Sequence, residues 1–145
     1  AAIGYKQKKI DLIKNKNNFG ANYTKNSNDF KKKNKVKVIH LNKFDKFTKK
    51  KSLVWIDVQG NEANALLGST KLIKKKIPFV IEFWPYGINR AGNKEKLIKQ
   101  LLKFKFFIDL KIKKKNKIDC NIKNLNELFK KYRSKKATEL LLMNT

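Results

Sequence analysis

Asp57 and Glu62 stand five positions apart in residues 52–69, SLVWIDVQGNEANALLGS, of a chain with only 11 Asp and Glu against 37 Lys and Arg. A third acid, Glu82, falls near the end of the apolar run 77–83, IPFVIEF. An ionised carboxylate beside a hydroxyl can take its proton as a general base, or can hold a divalent cation that acidifies it. Asp57 is the first candidate for either role, with Glu82 and Glu62 in support. A reading without chemistry stays open: Asp57 can accept from turn amides, and Glu62 can act as a charge at a helix N-terminus. Beyond Glu82, Trp84, Tyr86, Asn89 and Arg90 could stack on and hydrogen-bond to a sugar, or could pack beneath their own loop. His40, the lone histidine, reads as an ordinary half-exposed strand residue, with a ligand role open.

Three acids can act together only if the scaffold aims them at one place. The unbroken apolar residues 53–56 suit a parallel strand covered on both faces, and 77–83 reads the same way. Between them a turn at 58–60 leads into a helical pattern with Ala63, Leu66 and Leu67 on one stripe. Gly68 breaks it, and Ser69 is placed to cap a second short helix with Leu72 and Ile73 inward. The chain after Glu82 reads as a loop to Gly92. An amphipathic helix over 93–103, a strand over 104–110, a helix over 124–134 and a strand over 138–143 follow. Upstream lie the end of a strand at 1–4, a short strand at 9–13, a long Asn/Lys-rich loop over 14–34, a strand over 35–41 and a turn of helix over 42–47. Alternating strands and helices point to an α/β sheet with right-handed crossovers. Ligands collect at the carboxyl ends of such strands, where Asp57 and Glu82 fall, with Glu62 in the next helix's first turn.

A length of 145 residues fits one domain, 1–145. The apolar fraction of 41% is too high for a disordered polyelectrolyte, although the formal charge is +26. Such a field attracts polyanions, which makes a basic nucleic-acid-binding module the alternative reading. Against it, every basic residue except Arg90 and Arg133 is Lys, and the runs 31–33, 49–51, 74–76 and 113–115 are scattered. Abundant Lys, Asn, Ile and Phe together fit an A- and T-rich coding sequence, so no specific nucleic-acid partner is expected. One Cys and one His exclude a disulfide framework and a Cys/His zinc site made within this chain. A reducing, cytoplasmic setting is the expectation, with no membrane span and no signal-peptide pattern.

The segments 56–62 (IDVQGNE), 66–69 (LLGS) and 78–82 (PFVIE) resemble the C-terminal half of the FkbM-type S-adenosylmethionine-dependent methyltransferases. Residues 36–47, VKVIHLNKFDKF, look like the strand and acidic segment preceding that motif, with Asn42 where aspartate is commoner and Trp55 where lysine is usual. The resemblance implies a Rossmann-like class I methyltransferase sheet and transfer of a methyl group to a hydroxyl of a sugar, glycan or related metabolite. It implies S-adenosylmethionine as cofactor, with a divalent metal at Asp57 as a further option. The six glycines form no GxG pair, so the cofactor's glycine loop is expected upstream of Ala1, and the chain is expected to be truncated and inactive alone. Ala1 and Ala2 then resemble the strand end passing near the adenine, with Asp57 at the cofactor's reactive side. In this fold the strand before Asp57 normally pairs with the missing first strand, which would leave an apolar edge exposed.

Overall fold

The computed structural model describes residues 2–5, 9–13, 23–25, 35–49, 51–133 and 136–145. Two sheets organise them. The smaller has the order β1-β4-β2-β3, with β1 at Ala2–Ile3, β2 at Lys9–Ile13, β3 at Tyr23–Lys25 and β4 at Lys35–Ile39. β1 runs parallel to β4, while β2 is antiparallel to both β3 and β4. Part of the segment read as one long loop is therefore β3; residues 14–22 and 26–34 lie outside the described residues. A strand of three polar residues offers no apolar alternation, so nothing in its sequence marks it.

A 3-10 helix, Leu41–Phe47, follows β4 and is tied to the main body through Asn42. The Asn42 backbone amide donates to the Gly68 carbonyl at 2.9 Å, and its Oδ1 accepts from the Lys71 amide at 2.9 Å. Asn42 thus satisfies an N-terminal amide of α2 (Thr70–Lys74). The expected cap, Ser69, instead donates its hydroxyl to the Ala65 carbonyl at 2.6 Å. His40 lies just past the end of β4 and begins this short helix.

The larger sheet has the order β5-β6-β9-β7-β8: β5 Val54–Ile56, β6 Phe79–Phe83, β7 Phe106–Asp109, β8 Ile118–Asp119 and β9 Thr138–Met143. β5 and β6 are parallel. β9 is antiparallel to both β6 and β7, so β5, β6 and β7 share one direction with β9 inserted between the last two. The five-stranded sheet of this α/β chain is mixed, compatible with a methyltransferase-like fold. The last strand enters antiparallel because a helix, α5 (Ile122–Lys131), returns the chain to the carboxyl end before β9 begins.

On one face of this sheet Phe79, Ile81 and Phe83 are wholly buried with Phe107, Leu140 and Leu142. The Phe83 ring meets Phe129 of α5 edge-on at 4.8 Å and Tyr132 at 6.4 Å, while Phe79 meets Phe104 at 5.6 Å. Edge-to-face pairs at these separations add about 1 kcal/mol each to the burial of their area. α1 (Glu62–Leu67) and α4 (Lys94–Leu101) pack beside them through Ala63, Ala65, Leu66, Leu97 and Leu101. At the other extreme β5 ends the sheet, and among the described residues its outer edge has no strand partner. Leu53 and Trp55 there are 52% and 65% exposed, the apolar edge the sequence led one to expect.

Candidate active site

β5 and β6 end side by side, because Ile56 pairs with Ile81 in parallel register. Asp57 and Glu82 are the next residues on each strand, which brings both acids to one rim. The turn between β5 and α1 is built on two consecutive left-handed residues, Gln59 at φ 53° and Gly60 at φ 96°. Gly60 is required twice over: that φ disfavours any side chain, and a Cβ there would lie 2.4 Å from the Gly87 carbonyl oxygen. Gln59 has no such freedom, and is held by its own amide. Its Nε2 donates to Asp57 Oδ1 at 2.9 Å and toward Glu82 Oε2 at 3.3 Å, so one neutral group bridges the two acids.

Glu62 does what was left open for Asp57. Its Oε1 accepts the backbone amides of Val58 and Gly60, each at 3.2 Å, and so pins the turn from beneath. Only 1% of Glu62 is exposed, and its Oε2 is buried with no hydrogen-bond partner among the described residues. Burial pushes its pKa up, against the pull of the backbone amides it accepts. Glu82 is half-buried; desolvation, then the charges of Asp57 and Glu62, push its pKa to about 7. Glu139 lies directly across from Glu82 in the β6–β9 register and adds a smaller push the same way. Asp57 itself is exposed.

Three residues beyond Glu82, the expected loop is a short helix, α3 (Pro85–Arg90), with Pro85 supplying its first turn. The Ile88 amide closes it onto the Trp84 carbonyl at 3.0 Å. Gly87 lets the Trp84 ring lie against the helix, since a Cβ there would be 2.3 Å from the ring. Trp84 and Tyr86 lie 5.4 Å apart, and the Arg90 guanidinium sits 5.3 Å from the first ring and 5.9 Å from the second. Tyr86 is 45% exposed, and Asn89 and Arg90 are exposed. The four residues therefore form an aromatic-cationic ledge, partly packed and partly open. The turns after β5 and β6 touch at Gly60 and Gly87, and Asn93 Nδ2 donates to the Gly60 carbonyl at 3.0 Å. The acid rim and the ledge are consequently one rigid unit.

Ala2 belongs to the other sheet, half-buried on β1, whose end at Gly4 abuts Gly68 between α1 and α2. Ala1 lies outside the described residues. Asp57 stands at the rim with the buried, unpartnered Glu62 Oε2 below it, and the described residues include no glycine loop. No group of three or more His, Cys, Asp or Glu among them is arranged to hold a metal ion, and the Gln59 amide fills the gap between Asp57 and Glu82.

Two features escaped the sequence reading. Gln59 looked like an ordinary turn residue. Asp109 is 1% exposed and accepts from Tyr132 Oη at 2.6 Å, Thr138 Oγ1 at 2.7 Å and Lys131 Nζ at 2.7 Å. Burial works against its ionisation, but these donors outweigh it and bring its pKa down to about 2. A signal existed, since Asp109 ends the apolar run Phe106-Phe107-Ile108 as Asp57 ends its own.

No curated protein and no solved structure matched the chain. A family model described as the Methyltransferase FkbM domain matches residues 3–108, which takes in both sheets' parallel strands, the acid rim and the aromatic ledge. That match covers well over half of the sequence, and the chain belongs to the FkbM methyltransferase domain family.

Proposed function

We propose that the chain carries the acceptor side of an S-adenosylmethionine-dependent O-methyltransferase acting on a sugar, glycan or similar hydroxylated metabolite. The observation that carries this reading is the rim where Asp57, Gln59 and Glu82 meet beside Trp84, Tyr86 and Arg90. Acids and amides paired with an aromatic ledge match the two faces of a sugar: polar hydroxyls at the edge and apolar C–H groups above and below. The cofactor supplies the reactive methyl group, which leaves the protein to orient the acceptor and remove one proton. Asp57, exposed and oriented by Gln59, takes the proton of the acceptor hydroxyl. Glu82, neutral or charged near pH 7, donates to or accepts from a neighbouring hydroxyl. Glu62 is a positioning residue that holds the turn amides. Asn89 and Arg90 fix the acceptor's outer end. A metal at Asp57 is not needed for this chemistry, since Gln59 already spans the gap between the acids.

The described lysine runs do not favour the nucleic-acid alternative. Lys49, Lys51 and residues 74–76 precede β5 and β6, at the sheet's amino end, whereas 113–115 follow β7 at its carboxyl end. Among the described residues no helix is long and apolar enough to cross a membrane. We take the cofactor's glycine loop to lie outside the given sequence.

Two measurements test the reading. In a Trp55→Phe chain, Trp84 is the only tryptophan, and saturable quenching of its fluorescence by mono- and disaccharides is expected. Asp57→Asn should weaken that quenching several-fold by removing a charged acceptor of hydrogen bonds. Absence of saturable quenching by any sugar sinks the acceptor assignment. In a calorimeter the chain is expected to bind S-adenosylmethionine weakly or not at all, and tight binding overturns the placement of the glycine loop.

A further inference from the structure

The family match ends at residue 108, and beyond it Asp109, Lys131, Arg133, Lys136 and Thr138 lie at the carboxyl end of the sheet, where the acid rim also lies. β7 ends there at Asp109, and β9 starts there at Thr138. Ile81 and Asp109 both pair with Leu140, so they stand two strand spacings apart, about 10 Å. Above this point the chain after β7 is joined to the residues just before β9, Lys111 Nζ donating to the Ala137 carbonyl at 3.0 Å.

Four cations, Lys130, Lys131, Arg133 and Lys136, line a cavity of about 690 Å³ at this junction. Beneath it, Asp109 has its oxygens occupied by Lys131, Tyr132, Thr138 and the Lys111 amide. Lys131 is the only one of the four lining residues in an ion pair among the described residues. Asp109 therefore cancels one of these four positive charges, which leaves about three among the described lining residues. Arg133, one of only two arginines in the chain, offers the planar fork that suits a phosphoryl group's oxygens, with lysines as point charges on either side.

We infer that this cavity binds a phosphoryl group carried by the acceptor, which makes the substrate class a phosphorylated sugar. The substrate assignment rests on the acceptor reading above; the cavity's anion binding does not. A sugar phosphate anchored above Asp109 lies on the same sheet end as the Asp57–Glu82 rim, two to three strand spacings away.

Because the chain has two arginines, their Nε–Hε groups give two separable NMR signals, assigned with Arg90→Lys and Arg133→Lys. The chain is titrated with glucose 1-phosphate, glucose, inorganic phosphate and a short DNA duplex. Glucose 1-phosphate is expected to shift Arg133 saturably and glucose to leave it unmoved, with inorganic phosphate following the same signal more weakly. Arg133→Ala with Lys136→Ala, both exposed positions, should lower the affinity at least tenfold while the melting temperature holds. Parallel, unsaturating shifts of both arginines would show diffuse attraction to a basic chain and overturn the proposal. So would a duplex that occupies Arg133 more tightly than the sugar phosphate. Failure at Arg133 with Trp84 still quenched by sugars removes only the phosphoryl site. Saturation at Arg133 with no sugar effect on Trp84 removes only the substrate assignment.

Discussion

Replacing Glu82 with Gln should stabilise the fold at high pH and leave it unchanged at low pH. Glu82 keeps its proton to about pH 7 in the folded chain, against an ordinary value of 4.5, because of its burial and the charges of Asp57 and Glu62. Below pH 4.5 the group is neutral in both folded and unfolded chains, and nothing is lost. Between 4.5 and 7 the unfolded chain gives up its proton first, so stability falls as pH rises through that window. Above 7 the full cost persists. A displacement of this size corresponds to about 3 kcal/mol at about 1.4 kcal/mol per pH unit, and solvent screening at a half-exposed carboxyl cuts it to about 1–2 kcal/mol. Glu82→Gln removes the charge and keeps an oxygen for Gln59. Urea unfolding followed by circular dichroism should show the variant about 1–2 kcal/mol more stable at pH 9, and equal to the parent near pH 4. For a chain of this length the gain is about 3–6 °C in melting temperature. Equal effects at both pH values would refute the reasoning, because they would mean that Glu82 loses its proton alike in the two states. Asp57→Asn should lower the Glu82 midpoint more than Glu139→Gln does, since Asp57 is the stronger of these two neighbours.

Gly60→Ala should cost about 3 kcal/mol or more, since it combines a left-handed backbone with a Cβ 2.4 Å from the Gly87 carbonyl oxygen, and thermal melts would show it. Gly92→Ala, at φ 64° in open space, should cost only about 1 kcal/mol and serves as its control. Asp109→Asn should destabilise by about 2 kcal/mol at pH 7, because a folded-state pKa near 2 adds stability that is present above 3.8 and lost as pH falls toward 2. The deficit should shrink on acidification, and a pH-independent deficit would point to lost packing instead. Trp55→Lys on the exposed edge of β5 should raise the monomer fraction in analytical ultracentrifugation with little change in melting temperature, and an unchanged distribution would show that this edge does not drive association.

The strands with dense apolar residues could be read before the structure because burial on a sheet leaves a pattern that few other arrangements leave. Residues 53–56, 77–83 and 138–143 each give a strand of the larger sheet close to its expected place. Direction is another matter. Thr138–Met143 looks much like Phe79–Phe83 in composition, yet runs the opposite way, and nothing in its side chains encodes that. The cause is distant: α5 carries the chain from the amino end of the sheet to the carboxyl end before β9 starts. α3 was hidden for a different reason. Trp84-Pro85-Tyr86-Gly87 has the residues of a turn, and only the fit of Gly87 under the Trp84 ring makes a helix the better use of them.

The acids divide along the same line between what residue type can announce and what only contact can. Position alone placed Asp57 and Glu82 together, because strand-end residues on parallel neighbours meet whatever else the fold does. It could not say which acid would hold the turn. Glu62 takes the Val58 and Gly60 amides because it rises from the first turn of α1 directly beneath them, whereas Asp57 faces outward from the strand end. For the proposed reaction, what matters is that Asp57 is not tied to those backbone amides. Instead its described hydrogen bond is to the Gln59 amide, whose second contact is Glu82. Gln59 lowers the repulsion between two carboxylates without adding a charge, and its left-handed backbone is the strain that this position carries. A glycine at 59 would relieve the strain and lose the bridge, so the side chain at this position serves the rim and not the fold.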